Sequence, residues 1–246
     1  MGNEDDTERA ASVDGGGTIP EPPWRRGRAS TRRPPLTREA IVEAALRVLD
    51  RDGLDTMSMR RVAEELGTGA ASLYWHFGNK GELLDAVFDR VIGEIELPMP
   101  DRSRWQEQVK EVARGARRVM RTHRDIYKVS LGRYPVGPNA LAFAEGMLAI
   151  LRTGGVPDRT SAYATHLLTI YVGSYALEEG AGTQLSGEEM DSEKMLSMIR
   201  GYFASLPAER FPNVVALADD LTAGDSDEEF ELGLQLFVGG LAAQTA

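Results

Sequence analysis

From Leu36 to the C-terminus apolar residues recur every three or four positions and nowhere alternate over the length of a strand, so this chain must fold as a set of amphipathic helices. Ile41, Ala44, Ala45, Val48 and Leu49 draw one face of a first helix that stops at Gly53. Met59, Val62, Ala63 and Leu66 fall at i, i+3, i+4 and i+7 of a second, with Ser58 placed to cap it and Gly67 to end it. Ala70, Leu73 and Phe77 give a short third helix, over 70–77, its inner face. Asn79-Lys80-Gly81-Glu82 reads as a capping-box variant opening a long helix to about Leu97. Further helices are predicted over 104–123, 125–131, 138–153, 158–179, 192–205 and 227–243, separated by prolines, with 180–186 as a loop. The expected class is all-α.

The second and third of these helices are joined by Gly67-Thr68-Gly69, the short glycine-bearing turn of a helix-turn-helix. With Ala70, Leu73 and Phe77 turned inward, the third helix keeps Ala71, Ser72, Tyr74, Trp75 and His76 outside. Three large amphipathic side chains on the outer face of two turns suit a surface laid into a major groove, with small residues 71 and 72 permitting close approach to base edges. For Trp75, packing between helices is an equally good reading.

Charge is distributed to match. The chain as a whole carries −10, yet residues 24–80 carry +4, flanked by −5 over 1–23 and −9 over 81–246. Only the middle block attracts phosphate. Residues 1–35 hold a Gly15-Gly16-Gly17 run, several prolines and almost no apolar side chains, and are expected to be disordered. Their second half is a basic arm with Arg25, Arg26, Arg28, Arg32 and Arg33, which could reach DNA or serve only as a solvated tail. The expected domains are therefore a tail over 1–35, a DNA-binding domain over 36–80, and a helical ligand-binding and dimerisation domain over 81–246. Zero cysteines exclude disulfides and thiolate sites. No apolar run approaches a membrane span and the acidic start lacks a signal-peptide pattern, so a cytoplasmic protein without membrane contact is expected.

Residues 36–46 (LTREAIVEAAL), 58–67 (SMRRVAEELG) and 73–80 (LYWHFGNK) together resemble the tetracycline-repressor family over about forty-five positions. That resemblance implies DNA contact by Ser58, Arg60, Ala71, Ser72, Tyr74, Trp75, His76 and Lys80, with Ala71 and Ser72 nearest the bases. It further implies a homodimer on a palindromic double-stranded operator and release by a small organic effector, which in most members makes the regulator a repressor.

Trp105, His123-Arg124-Asp125, Lys128-Val129, Leu131-Gly132, Pro135, Leu177-Glu178 and Phe230-Glu231-Leu232 extend the likeness to the tetracycline-responsive branch of that family. The positions that hold a magnesium–tetracycline chelate there are replaced here: Ser130 stands for a metal-binding histidine, Glu96 for a ring-binding one, Val112 and Met147 for amides, Tyr134 for an arginine. Methyl and thioether groups cannot rebuild a chelate site. The resemblance thus points to Val112, Ala116, Met120, Ser130, Tyr134, Met147, His166, Thr169 and Ile170 as contacts for a weakly polar organic molecule, with no metal and no cofactor. His166 is placed in the pocket or on the dimer seam, and His123 is read as complementing a helix dipole. The helices over 158–179 and 227–243 carry stripes (Ala162, Tyr163, Leu167, Ile170, Ser174 and Phe230, Leu234, Phe237, Val238, Leu241) that would form a four-helix bundle with a partner.

Three alternatives remain open: a DNA-binding regulator with no small-molecule ligand, an α-helical enzyme, and a non-specific nucleoid protein, against which the overall charge of −10 argues. Against the enzyme, no phosphate-binding glycine loop, HExxH spacing or nucleophile elbow is found.

Overall fold

The computed structural model describes residues 36–133, 135–185, 192–223 and 226–245, with the chain dividing after Pro35. Eleven α-helices and one 3-10 turn follow one another among the described residues, with no strand: α1 Arg38–Asp52, α2 Met59–Glu65, α3 Ala70–Tyr74, α4 Lys80–Ile92, α5 Trp105–Thr122, α6 Ile126–Ser130, α7 Pro138–Thr153, α8 Asp158–Leu185, α9 Ser192–Ala204, α10 Pro212–Ala216, a 3-10 turn Asp220–Thr222, and α11 Ser226–Ala242. Residues 1–35, Tyr134, 186–191, 224–225 and Ala246 lie outside the described residues.

Cap chemistry sets the first boundaries. Thr37 accepts a hydrogen bond from the Ala40 amide at 3.1 Å to start α1, and Ser58 does the same for Arg61 at the start of α2. Asn79 accepts from the Glu82 amide at 2.9 Å, and Glu82 reaches back to the Gly78 amide at 2.9 Å, so the box closes one residue earlier than the standard pattern. Gly53 ends α1 in a left-handed conformation, φ 82°, a region that favours glycine. A Cβ there would also meet Asp125 Oδ2 at 2.9 Å, so the site is closed to side chains twice over.

Ile41, Ala44, Val48, Leu49, Val62, Leu73 and Phe77 are almost wholly buried and make the core of α1–α3, with Leu83, Val87 and Val91 of α4 closing it. The same α4 then leans on α5, α6 and α7 and carries the core into the C-terminal half. There α5, α7 and α8 pack on one another around Val109, Val112, Met147, Ile150 and Leu151, and α11 lies against α5 and α8. Close approach has a local cost: a Cβ on Gly154 would sit 2.4 Å from the Trp105 ring. Under α11, Tyr171, Tyr175 and Phe230 cluster with ring centroids 5.1–5.2 Å apart, and the Arg117 guanidinium lies 4.3 Å over Phe230. Arg117 is buried, and Glu179, Asp227 and Ser226 supply the partners a buried cation requires.

Several boundaries depart from the pattern. The third helix stops at Tyr74 and turns, so His76 and Phe77 belong to the link into α4. The fourth ends at Ile92 rather than near Leu97. The eighth runs through Gly180 to Leu185, where a loop is expected. Helix α10 and the 3-10 turn carry no sequence signal strong enough to anticipate them.

Candidate DNA-reading face and effector domain

The turn Leu66–Gly69, with Gly67 at φ 64°, sets α3 across α2. Leu73 and Phe77 anchor α3 below, leaving Tyr74 53% and Trp75 91% exposed. Trp75 is therefore left almost uncovered by the described residues, and among them it takes the outward of its two readings. Ala71 is exposed, and Ser72 is half-buried with its hydroxyl 3.3 Å from that of Thr68. His76 is half-buried and Ser58 is occupied as a cap. Arg60 is exposed and, among the described residues, pairs with Glu64 one turn on, 3.0 Å away, a surface pair worth little and easily exchanged for a phosphate. Lys80 donates to the Leu54 carbonyl at 3.3 Å, so in the free protein it ties down the loop before α2.

Arg38 escaped the sequence reading. At the first position of α1 its guanidinium lies 4.0 Å over the Phe77 ring and donates to the His76 carbonyl, holding the turn that follows the exposed aromatics. Nothing in a lone arginine at a helix start announces such a contact.

At its other end α1 is held by three consecutive residues. His123 caps α5 and places Nδ1 3.0 Å from Asp50 of α1 and Nε2 3.0 Å from Glu94. The Arg124 amide donates to Asp50 at 3.2 Å and its guanidinium to the Arg51 carbonyl at 3.0 Å. Asp125, at φ 58° the one non-glycine residue with positive φ among the described residues, accepts from the Leu54 amide at 3.0 Å and from Lys128 at 3.0 Å. His123 does end α5, where the dipole reading applies, and it also stands between two carboxylates.

In the C-terminal domain Val112, Ala116 and Met147 face inward from α5 and α7 and are nearly inaccessible, with Met120 half-buried nearby. Ser130 is half-buried and donates to the Tyr127 carbonyl at 2.7 Å. Tyr134 lies outside the described residues. His166, Thr169 and Ile170 lie apart from this group, on the outward face of α8 with Tyr163 and Leu167. Sequence reasoning missed Tyr127: its ring is buried, and its hydroxyl has no hydrogen-bond partner among the described residues. Such an orphan costs roughly 1–3 kcal/mol unless something polar meets it. An open groove of about 630 Å³ lies between α1, α4 and the approach to α7, and none of the expected effector contacts among the described residues lines it.

The outward faces of α8 and α11 are apolar. Tyr163, Leu167 and Ile170 are 53–57% exposed, and Leu232 and Leu236 stand out from α11 beside Gly239 and Gly240. The α11 stripe read from sequence belongs elsewhere: Phe230, Leu234, Val238 and Leu241 are buried in the subunit's own core, and the free stripe is the neighbouring one. No helix among the described residues is long and apolar enough to cross a membrane.

Comparison with known proteins gives a consistent result over both halves. Residues 41–87 match the family described as bacterial regulatory proteins, tetR family, and residues 97–245 match the tetracyclin repressor-like C-terminal domain. The HTH-type transcriptional repressor DrrR1 of Streptomyces coeruleorubidus is 33% identical, covering 100% of this chain and 92% of its own. The class C tetracycline repressor protein of Escherichia coli is 29% identical over 84% of this chain and 90% of that protein. Among solved structures, Streptomyces coelicolor ActR in complex with actinorhodin superposes with a TM-score of 0.81 at 45% identity, over 87% of this chain and 99% of that one.

Proposed function

This chain belongs to the tetracycline-repressor family of transcription regulators, and on that premise we propose that it represses transcription as a homodimer on a palindromic operator and leaves the DNA when a small organic effector binds. It is a regulator and not an enzyme. The observation that carries the proposal is the outward pair Tyr74 and Trp75 at the end of α3, held up by a fully buried Leu73 and Phe77. A folded chain leaves a 91% exposed tryptophan on a rigid helix end for a surface it meets later.

In this reading Ala71 and Ser72 read bases, Arg60, Tyr74, Trp75 and His76 meet the backbone or groove walls, and Ser58 and Lys80 contribute phosphate contacts. Two recognition segments related by a two-fold axis require a two-fold operator. The apolar outer faces of α8 and α11 supply the seam. Bound to an operator, the protein would work in the cytoplasm, where the DNA is.

The effector site we propose is the interior between α5, α6 and α7, around Val112, Ala116, Met120, Ser130 and Met147. His166, Thr169 and Ile170 reach an effector only if the seam brings them to the partner's site. The orphan hydroxyl of Tyr127 suits the single polar handle that a mostly apolar pocket needs. ActR, in complex with actinorhodin or with (S)-DNPA, makes those two compounds the first probes. A regulator without ligand is favoured by one fact, the near-complete burial of Val112 and Met147, which reads equally well as a filled core.

The test is selection of bound duplexes from a random pool with the purified chain, followed by challenge with actinorhodin and (S)-DNPA. Recovery of an inverted repeat is expected, and Trp75→Ala should bind it at least tenfold more weakly while melting normally. An asymmetric site, or undiminished binding by Trp75→Ala, refutes the operator reading. A thermal-shift screen in which no small molecule stabilises the chain leaves the ligand-free regulator.

A further inference from the structure

Helix α1 is a strut of about 22 Å with a contact of consequence at each end. At its start Arg38 holds the His76 carbonyl and the Phe77 ring, directly behind the exposed aromatics of the recognition segment. At its end Asp50 meets His123, which belongs to the C-terminal domain. The imidazole is 9% exposed and lies between two acids: Nδ1 is 3.0 Å from Asp50 Oδ2, and Nε2 is 3.0 Å from Glu94 Oε2. A neutral imidazole has one N–H and one lone pair. In that form one of the two contacts would set a lone pair against a carboxylate oxygen at hydrogen-bond distance. Only the imidazolium donates on both sides, and such charge-assisted bonds are the strong ones.

Resting on the DNA-binding reading above, we propose that His123 is a positioning residue for operator recognition: its imidazolium fastens α1, and through α1 the recognition segment, to the effector domain, and loss of its proton loosens that hold and weakens operator binding. The charged groups that face it come from three elements. Asp50 comes from α1, Glu94 from the segment after α4, and the Arg90 guanidinium of α4 lies 2.8 Å from Glu94 Oε1, while the Arg124 amide binds Asp50. Burial pulls the imidazole's pKa down, but the hydrogen bonds the ring donates to Glu94 and Asp50 outweigh it, and the net displacement is upward. Glu94 moves the other way: burial raises it, and bonding to His123 and Arg90 more than reverses that. With the folded pKa above the unfolded one, the clasp is complete below about pH 6.5 and is lost as pH rises through the higher folded value.

The test uses the full-length chain and a duplex recovered by selection with it. Wild-type affinity is expected to fall about tenfold between pH 6.5 and 9, within the usual range of coupling between sites. His123→Gln, which cannot donate on both sides, should bind about tenfold more weakly at pH 6.5 and lose the dependence. A pH-dependence that originates at His76 would survive in His123→Gln, which separates the two imidazoles. Proton–nitrogen spectra of the histidine rings, with His123 assigned as the signal that persists in both His76→Gln and His166→Gln, should show both nitrogens of His123 protonated at pH 6.5. In Glu94→Gln that doubly protonated form, and with it the fall in affinity, should retreat to lower pH. These wild-type and Glu94→Gln measurements stand if His123→Gln does not fold. A singly protonated His123 at pH 6.5, or a His123→Gln chain that binds like the wild type at every pH, overturns the proposal. Failure of the wild-type chain to retain any duplex counts first against the DNA-binding reading, and against the role of His123 only as its consequence.

Discussion

The two halves of this molecule finish their surfaces differently. Helices α1–α3 with α4 close a complete core within one chain, and what they leave outside is polar, charged or amphipathic: Arg60, Tyr74, Trp75 and His76. The C-terminal helices also bury a core, but they leave outside Tyr163, Leu167, Ile170, Leu232 and Leu236. The first half is ready to meet a hydrated, charged polymer. The second half carries apolar area that water penalises at about 25 cal/mol per Å², the face we propose as the seam. On that proposal the reading head is intact before assembly, whereas the effector domain is completed by it.

The contrast breaks most visibly if the first core is emptied. Phe77 is fully buried and carries the Arg38 contact, so Phe77→Ala should cost about 3–5 kcal/mol and abolish operator binding. Denaturant unfolding should then show an early transition confined to the N-terminal helices; a single unshifted transition would mean that the domain does not depend on its own core. A smaller effect is expected at the seam. Ile170→Glu with Leu236→Glu should weaken self-association about a hundredfold, on the order of 3 kcal/mol, and leave the subunit folded. Sedimentation velocity across a concentration series checks this, and an unchanged distribution would place the seam elsewhere.

The sequence made the first half legible nearly residue by residue because its signals are local. Ser58 and Asn79 declare helix starts through bonds to amides three residues away, and Gly67 marks the turn by its own conformation. The second half resisted for a physical reason. Helix α11 has two adjacent apolar stripes, and one sequence cannot say which turns to its own core; Phe230 and Leu234 go inward, Leu232 and Leu236 outward. Resemblance groups His166, Thr169 and Ile170 with Val112 and Met147, and a single subunit places them on the outward face of α8. His123 was opaque because its acids lie 73 and 29 residues away, beyond the reach of any periodicity.

The smallest expected effect sharpens the contrast on the side of the second half. Arg114 on α5 grips Glu231 of α11 with two bonds of 2.7 and 2.8 Å, and this pairing holds the Glu231 carboxyl below its usual range. Its stabilisation is therefore present above the unfolded carboxylate pKa and fades as pH falls through the lowered folded value. The pair is partly exposed, so Glu231→Gln should cost no more than about 1 kcal/mol near neutral pH, with wild type and variant converging in acid. Thermal melts at pH 7 and pH 3 compare them, and an equal gap at both would assign the loss to packing instead.

The joint between the halves has a consequence for anyone who would exchange reading heads among relatives. The natural cut, in the segment between α4 and α5, gives one parent Asp50, Gly53, Leu54 and Glu94 and the other His123, Arg124 and Asp125. A graft made there inherits half of a fitted socket from each side, and any residue larger than glycine at 53 would collide with Asp125. A working hybrid has to carry the His123–Asp125 tripeptide along with the head it was shaped to hold, so the exchangeable unit is longer than the DNA-binding domain by the width of that joint.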